Sequence, residues 1–203
     1  TGDGTITISG VTGSTDLSSL ASSLTSTGKL WNGADISGNS NIGNLDNIAI
    51  DNNANVTMSI AQHAKVNAAT GSNTVTISDA GTLTGLASVE TYNLADGANT
   101  FTMADGGQTV VGGSGVDQIT GGTGIDNITG GASDDVISAG LGADVITGGT
   151  GNDTMTGGDG ADRFVFASGD TSSTVADEKI LDFKTGSDEL DFGEAAGDVT
   201  IVD

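Results

Sequence analysis

Between Gly112 and Val165, apolar side chains recur at every ninth position. Six blocks, GGSGVDQIT, GGTGIDNIT, GGASDDVIS, AGLGADVIT, GGTGNDTMT and GGDGADRFV, follow one another without an insertion. The eighth residue of each block is apolar, and the pattern around it is that of a very short strand that buries one side chain. This apolar column consists of Ile119, Ile128, Ile137, Ile146, Met155 and Phe164. We therefore predict one three-residue strand per block, at positions seven to nine.

The first six positions of each block are rich in Gly and end in Asp. Glycine allows positive φ angles and close backbone approach, so these positions predict tight turns. Two blocks would make one turn of a parallel coil, in which like positions stack every 18 residues. The predicted columns are Asp117, Asp135 and Asp153 on one side, and Asp126, Asp144 and Asp162, the end of its column, on the other.

Stacked carboxylates make such a coil unstable without a counterion. Unit charges at the ~4.8 Å strand spacing repel by about 3 to 4 kcal/mol at an effective dielectric of ~20. The rest of the chain increases this repulsion, because the sequence has 27 acidic and 5 basic residues and a formal charge of −22. Ca²⁺ accepts six to eight oxygen ligands, and Asp carboxylates with turn carbonyls supply them from both layers. The spacing therefore predicts calcium between the turns.

The blocks resemble the RTX nonapeptide GGxGxDxUx, a calcium-binding repeat of parallel β-helices. This resemblance implies an all-β, right-handed parallel β-roll or solenoid with about four or more Ca²⁺ ions between same-side turns. It also implies that the ions are held by the position-six aspartates and by backbone carbonyls of positions one to four. Besides the six aspartates, the implied site residues are Gly113, Gly115, Gly122, Gly124, Gly131, Ser133, Gly140, Gly142, Gly149, Gly151, Gly158 and Gly160. Ser133 and Ala139 replace glycines of the pattern, which predicts strain in turns three and four.

Residues upstream of the repeats keep part of the pattern. The segments LADGANTFT and MADGGQTVV (94–111) stay in phase, but Asn99 and Gln108 stand at their sixth positions. We predict further coil turns there, with calcium weakened or lost. For residues 1–93, the runs TITISGV, NVTMSI and NTVTIS predict strands separated by turns. An irregular, calcium-poor β-solenoid is our preferred interpretation and a separate β-sandwich the alternative; residues 16–24 are the best helical candidate, with Asp16 as its cap.

Larger apolar residues follow the last repeat. Four of the five phenylalanines lie between Phe164 and Phe192, where a solenoid needs a cap over its open end. The segment DEKILDFKTGSDELDF resembles the cap that follows RTX repeats in secreted proteases and other type I exported proteins. We predict a capping, export-associated segment at 166–203, in which Asp182 is either an end ligand for calcium or a solvated side chain.

Composition excludes several classes of function. The chain has no cysteine, hence no disulfide or thiolate site, and its five basic residues make nucleic acid an improbable partner. No apolar run approaches the ~20 residues of a transmembrane helix. The single histidine, His63, has no H-E-x-x-H motif around it, and no G-x-S-x-G elbow occurs. We therefore predict a protein that is not an enzyme.

The upstream Ala-, Thr-, Asn- and Gly-rich segments are similar to those of surface-layer proteins and large adhesins. Together with the repeats, this similarity implies a calcium-dependent structural protein, exported by type I machinery to the cell surface of a Gram-negative bacterium, where it would self-assemble into a surface lattice. The alternative is the C-terminal folding and export module of a secreted protease or lipase. In either case we expect the sequence to be part of a longer chain.

Overall fold

The computed structural model describes residues 6–7, 27–30, 34–37, 47–50, 53–167, 178–193 and 199–201. Within them the chain forms twenty strands and one short helix, and it divides into two compact units. The first unit comprises Thr1–Asp79 and Ser88–Asn93, and the second comprises Ala80–Ala87 and Leu94–Asp203. In these described ranges, no helix has the length and apolar character that crossing a membrane requires. The helix predicted at 16–24 lies outside the described residues.

The first unit is a parallel coil with turns of unequal length. One of its sheets has the strand order β1-β2-β4-β6, and a second contains β3, β5, β7 and β9. Paired residues are 22 apart for Ile6 and Gly28, 19 apart for Asn55 and Thr74, and 17 apart for Thr74 and Thr91. The described pairings of this unit are parallel, as in a solenoid, whereas a β-sandwich consists of antiparallel sheets. The assignment of residues 1–93 to an irregular solenoid stays a prediction. Its strands are β1 (Ile6–Thr7), β2 (Thr27–Leu30), β3 (Ala34–Asp35), β4 (Asn47–Ile50), β5 (Asn55–Met58), β6 (Val66–Ala69), β7 (Thr74–Ile77) and β9 (Thr91–Asn93).

A short helix follows β5, where the sequence pattern predicted a continuing strand. Helix α1 (Ile60–His63) begins at a capping box. The Ser59 hydroxyl accepts the Gln62 N–H at 3.3 Å, and the Gln62 side chain accepts the Ser59 N–H at 2.8 Å. This reciprocal pair satisfies donors that the first turn of a helix leaves open, which favours one helical turn over a longer strand.

The second unit is a regular parallel coil. One sheet has the order β20-β18-β16-β14-β12-β10-β8, and the other contains β11, β13, β15, β17 and β19. Paired residues lie 18 positions apart, from the pair Thr82 and Thr100 at the start of this coil to the pair Thr147 and Val165. This spacing confirms the register of two nonapeptides per turn. The strands are β8 (Thr82–Thr84), β10 (Thr100–Thr102), β11 (Thr109–Ser114), β12 (Gln118–Thr120), β13 (Asn127–Ala132), β14 (Val136–Leu141), β15 (Val145–Thr150), β16 (Thr154–Asp159), β17 (Arg163–Val165), β18 (Glu178–Ile180), β19 (Glu189–Asp191) and β20 (Val199–Ile201).

Strands β11 and β13 to β16 are longer than predicted. Each has six residues and continues from positions seven to nine into the first three positions of the next block. The ladder includes the pairs Gly113 with Gly131 and Gly140 with Gly158. Glycines at these positions therefore take part in the sheets, because two backbones approach closely where neither carries a side chain.

The core of the second unit is the predicted apolar column. All six position-eight side chains are buried, and Phe101 and Val110 extend the column upstream. After the repeats, Phe183 lies 6.4 Å from Phe164 between ring centroids, and Phe192 stacks on Phe166 at 5.3 Å. Strands β18 and β19 pair with β16 and β17, so the terminal segment continues the coil with larger side chains.

Candidate metal centre

The six repeat aspartates form two buried columns. Each is at most 1% exposed, and its Oδ1 accepts the backbone N–H of the residue 18 positions earlier, at 2.7 to 3.0 Å. In the first column, Asp135 thus holds the N–H of Asp117, and Asp153 holds that of Asp135. The predicted 18-residue stacking therefore places the carboxylates between successive turns rather than on the outer surface.

Both columns continue beyond the repeats. Asn99 and Gln108 precede them, each donating its backbone N–H to the first aspartate of its column. At the other end, Glu178 Oε2 accepts the Asp153 N–H, and Asp188 Oδ1 accepts the Asp162 N–H, both at 3.2 Å. Asp162 is therefore not the end of its column, contrary to the prediction.

Sequence reasoning missed Glu178 and Asp188 because they lie 25 and 26 residues after their partners Asp153 and Asp162, out of the nonapeptide phase. A signal was present nonetheless. Each acid stands two positions before a position-eight-like apolar residue, Ile180 or Leu190, as every repeat aspartate does. The acid-x-apolar pattern, without the glycines, would have found them.

The second carboxylate oxygens are the unusual feature of the columns. In the described part of the chain, the Oδ2 atoms of Asp117, Asp135, Asp144 and Asp162 are buried and have no hydrogen-bond partner. Asp126 differs, since its Oδ2 accepts the Gly122 N–H at 3.1 Å. A buried, ionised oxygen without a partner is costly, so such a carboxylate either takes up a proton or pairs with a cation.

Burial raises the pKa of these carboxyl groups. The pKa of Asp135 rises from 3.8 to about 7, first because of burial and then because of the neighbouring charges of Asp153, Asp117 and Asp134. For Asp144 burial raises the pKa to about 6. The pKa values of Asp117 and Asp162 are raised as well, again mainly by burial. Without a cation, Asp135 is therefore partly protonated at neutral pH.

This shift gives a pH prediction for the calcium-free protein. Because the folded-state pKa values of about 7 and 6 at Asp135 and Asp144 exceed the ordinary 3.8, protonation stabilises the fold. That contribution is complete below pH ~4 and is lost as the pH rises through 6 and 7. We expect amide hydrogen exchange of residues 109–165, corrected for its intrinsic pH dependence, to show stronger protection at pH 5 than at pH 8. Equal or weaker protection at pH 5 would contradict the burial of ionisable columns.

The glycine turns bring backbone carbonyls to the same places. A Cβ on Gly131 would lie 2.0 Å from the Gly113 carbonyl oxygen, so position-two carbonyls point at the next turn on the same side. A Cβ on Gly112 would lie 2.0 Å from the Gly130 carbonyl oxygen and 2.4 Å from Asp117 Oδ2. Oxygens of two successive turns therefore converge where glycine leaves the space open.

The predicted turn residues fall into two conformational classes. Position two has φ between 99° and 120° in five repeats, whereas Gly122 is not in this region. Position four has φ between 126° and 157° at its glycines and 85° at Ser133. The five position-two residues are Gly113, Gly131, Gly140, Gly149 and Gly158, and the position-four glycines are Gly115, Gly124, Gly142, Gly151 and Gly160.

The two departures from the repeat pattern behave differently. Ser133 lies in the left-handed region, which costs a non-glycine residue on the order of 1 to 3 kcal/mol. Ala139 has no positive φ and is completely buried, so its methyl group fits without backbone strain at that position. The strain predicted for turn three is therefore seen in the backbone, and the strain predicted for Ala139 is not.

The donor set is made of oxygen alone, which suits a hard cation such as Ca²⁺. No cluster of three or more His, Cys, Asp or Glu side chains occurs among the residues that the structure describes. Successive turns on one side contribute one repeat carboxylate each, so a cation between them depends on carbonyl oxygens for the rest of its shell. The residues present fit calcium bound between turns.

Asp182, the predicted end ligand, is bonded to the last repeat. Its carboxylate oxygens accept the N–H groups of Gly157 at 2.9 Å and Gly158 at 2.7 Å. Nearby, Lys184 Nζ donates to the Gly158 carbonyl at 2.6 Å and lies 3.2 Å from Asp159 Oδ1. These contacts attach the terminal segment to repeat six; a calcium-binding role for Asp182 stays a prediction.

His63 is part of the core of the first unit. Its Nε2 lies 2.8 Å from the Tyr92 hydroxyl, and both side chains are buried. Burial lowers the pKa of His63 to about 4, so the ring is neutral near pH 7. A buried, neutral ring that bonds to a buried tyrosine stabilises the core rather than meeting a substrate.

A family model agrees with this geometry. The RTX calcium-binding nonapeptide repeat (4 copies) matches residues 111–146 and 139–172. The prediction of RTX repeats is therefore confirmed, and repeats of this kind bind calcium. A search of curated proteins finds no match to the chain.

Proposed function

We propose that the RTX coil of residues 94–165 folds when calcium enters the gaps between its turns, and that it belongs to a non-enzymatic, exported protein of the bacterial cell surface. The observation that carries the first part is the set of buried Oδ2 atoms of Asp117, Asp135, Asp144 and Asp162, which have no hydrogen-bond partner in the described part of the chain. A cation between turns gives these oxygens a partner and removes the repulsion within each column.

The proposed ligands follow from the contacts. The six repeat aspartates supply carboxylates, and positions one to four of the repeats supply carbonyls. Glu178 and Asp188 continue the columns into the terminal segment, so we add them to the set. Each column has two gaps between successive repeat aspartates, which makes four gaps in all. We therefore expect at least about four bound ions.

Calcium would act as a folding switch. The unfolded chain lacks the preformed gaps, so binding free energy becomes folding free energy. One site contributes about 2.7 kcal/mol at a ligand concentration 100 times its Kd, and several sites in one coil act together. Where calcium is scarce, as in a cytosol, the acidic chain stays extended; outside the cell the same chain condenses.

The proposed organisation has three parts: an irregular, calcium-poor solenoid at 1–93, the RTX roll at 94–165 and a capping, export-associated segment at 166–203. RTX repeats are typical of exported bacterial proteins. The parallel strand pairing within the first unit supports a structural role of the surface-layer kind, because it is a stacked strand architecture whose described residues include no cluster of three or more His, Cys, Asp or Glu side chains. Type I export, a Gram-negative cell surface and assembly into a lattice remain part of the proposal.

A calcium titration of the whole chain tests the proposal. We expect far-UV circular dichroism to show a cooperative gain of β-structure with calcium and its loss on chelation. Magnesium at the same concentration is the control, since its small octahedral shell fits a carbonyl-rich site poorly. A spectrum that is the same in excess chelator and in saturating calcium would disprove calcium-dependent folding.

Light scattering in the same titration addresses the surface role. Ordering accompanied by assembly supports a calcium-built lattice. Ordering of a chain that stays monomeric overturns the lattice proposal and favours the alternative, a folding and export module of a secreted hydrolase. The second outcome leaves calcium-dependent folding itself intact.

A further inference from the structure

The side-chain amide of Asn99 binds the oxygens of a turn. Asn99 stands at position six of the coil that precedes the first repeat, and it is 5% exposed. Its Nδ2 donates to the carbonyls of Ala95 and Gly97 and to Asp117 Oδ1, each at 2.9 Å. One nitrogen thus contacts three oxygens, two from its own coil and one from the next.

These three oxygens are equivalent to those of a calcium gap. Ala95 and Gly97 occupy positions two and four of their block, and Asp117 is the aspartate of the next coil on the same side. One turn later, the corresponding groups are Gly113, Gly115 and Asp135, in the gap where we place a cation. The amide nitrogen therefore binds, without an ion, the two turn carbonyls and one carboxylate oxygen that correspond to those bordering that gap; Asp117 Oδ2 is not among its partners.

The first unit contains a related arrangement at Asn73, in which the amide nitrogen binds two carbonyls of its own turn. Its Nδ2 donates to the carbonyls of Thr70 at 2.9 Å and Gly71 at 3.2 Å. The other column begins differently, since Gln108 Nε2 donates to the Leu86 carbonyl at 2.9 Å and Oε1 accepts the Ala104 N–H. The shorter asparagine side chain keeps its amide between the turn carbonyls, whereas the extra methylene of Gln108 lets its amide reach another coil.

We propose that Asn99 is a neutral substitute for calcium, and that the exchange Asn99→Asp would create an additional calcium site between its coil and the first repeat. This inference rests on the proposed function, because it assumes that the gaps between repeat aspartates bind calcium. Replacing the amide by a carboxylate removes the donor and leaves the carbonyls of Ala95 and Gly97 facing two carboxylates. A cation in this gap then satisfies all of these oxygens.

The test counts calcium ions bound to the full-length chain, by native mass spectrometry and isothermal titration calorimetry. We expect Asn99→Asp to bind one more ion than the unmodified chain at saturation, and to be less stable than that chain in chelator. The matched control is Asn127→Asp, which makes the same charge change at an exposed strand position and should leave the ion count unchanged.

The outcomes separate this inference from the proposed function. If the unmodified chain binds no calcium, the proposed function fails. If it binds calcium and the Asn99→Asp chain, folded to the same circular dichroism spectrum, binds the same number, the inference is overturned. Should Asn99→Asp not fold in saturating calcium, Asn99→Ala decides. Loss of the amide should raise the calcium concentration at the folding midpoint about twofold, which corresponds to ~1.6 kcal/mol when about four ions bind together with folding. An unchanged midpoint would overturn the inference.

Discussion

Asp135→Ala should lower the free energy of unfolding in saturating calcium by about 4 kcal/mol. Asp135 Oδ1 accepts the buried Asp117 N–H at 2.8 Å, and hydrogen bonds to charged groups contribute about 1.5 to 3 kcal/mol. The carboxylate also lies between two gaps, so calcium would be weakened in both, at up to about 2.7 kcal/mol for each site. Urea unfolding at a fixed calcium concentration, followed by circular dichroism, measures the loss.

The neighbouring Asp134 provides a matched control. It carries the same charge one residue away, but it is exposed, and its Oδ1 accepts the N–H of the exposed Asn152 at 2.9 Å. Surface substitutions of this kind change stability by about 0.5 kcal/mol or less. Similar losses for Asp134→Ala and Asp135→Ala would mean that net charge, rather than position in the column, governs stability.

Gly131→Ala should be similarly damaging for a steric reason. Gly131 has a φ of 120°, and a Cβ there would lie 2.0 Å from the Gly113 carbonyl oxygen. The φ angle alone costs an alanine about 1 to 3 kcal/mol. The overlap adds to this cost, because it can be relieved only by separating two turns that are paired in the sheet. We expect a loss of about 4 kcal/mol or more in saturating calcium, and fewer bound ions.

Gly106→Ala separates the two causes. Gly106 has a φ of 107°, but nothing lies within 4 Å of the position of its Cβ. It should therefore show the cost of the φ angle and no overlap, about 1 to 3 kcal/mol. If Gly131→Ala is no more destabilising than Gly106→Ala, the carbonyl of Gly113 does not restrict the gap as described.

The repeat region could be predicted almost completely because one short rule governs it. An in-phase Asp and an apolar residue two positions later fix which side chains enter the core and which backbone groups pair, and 18 residues per turn follows directly. Strand length could not be predicted in the same way. The glycines of positions one and two indicate turns by their propensity, yet in β13 and β15 they extend the ladder because the adjacent coil needs backbone contact there.

The remaining differences come from groups that the nine-residue phase does not mark. Glu178 and Asp188 enter the columns after a break in the phase, so their positions depend on how the terminal strands pair. Asn99 was predicted to weaken or abolish calcium binding; its contacts show how an amide binds the same turn oxygens. Helix α1 depends on a reciprocal pair of side-chain bonds at Ser59 and Gln62, which competes with the β-rich run before it.

The 18-residue register also has a consequence for how such a coil changes length in evolution. A duplication or deletion of two nonapeptides inserts or removes one whole turn, and every strand after it keeps its sheet. A change of one nonapeptide instead moves all later strands to the opposite sheet, so β18 and β19 would exchange sides relative to β8 and β10. Glu178 and Asp188 would then join the other column. Insertion or deletion of an even number of nonapeptides thus leaves every later strand in its sheet. An odd number rotates the terminal segment by half a turn about the coil axis.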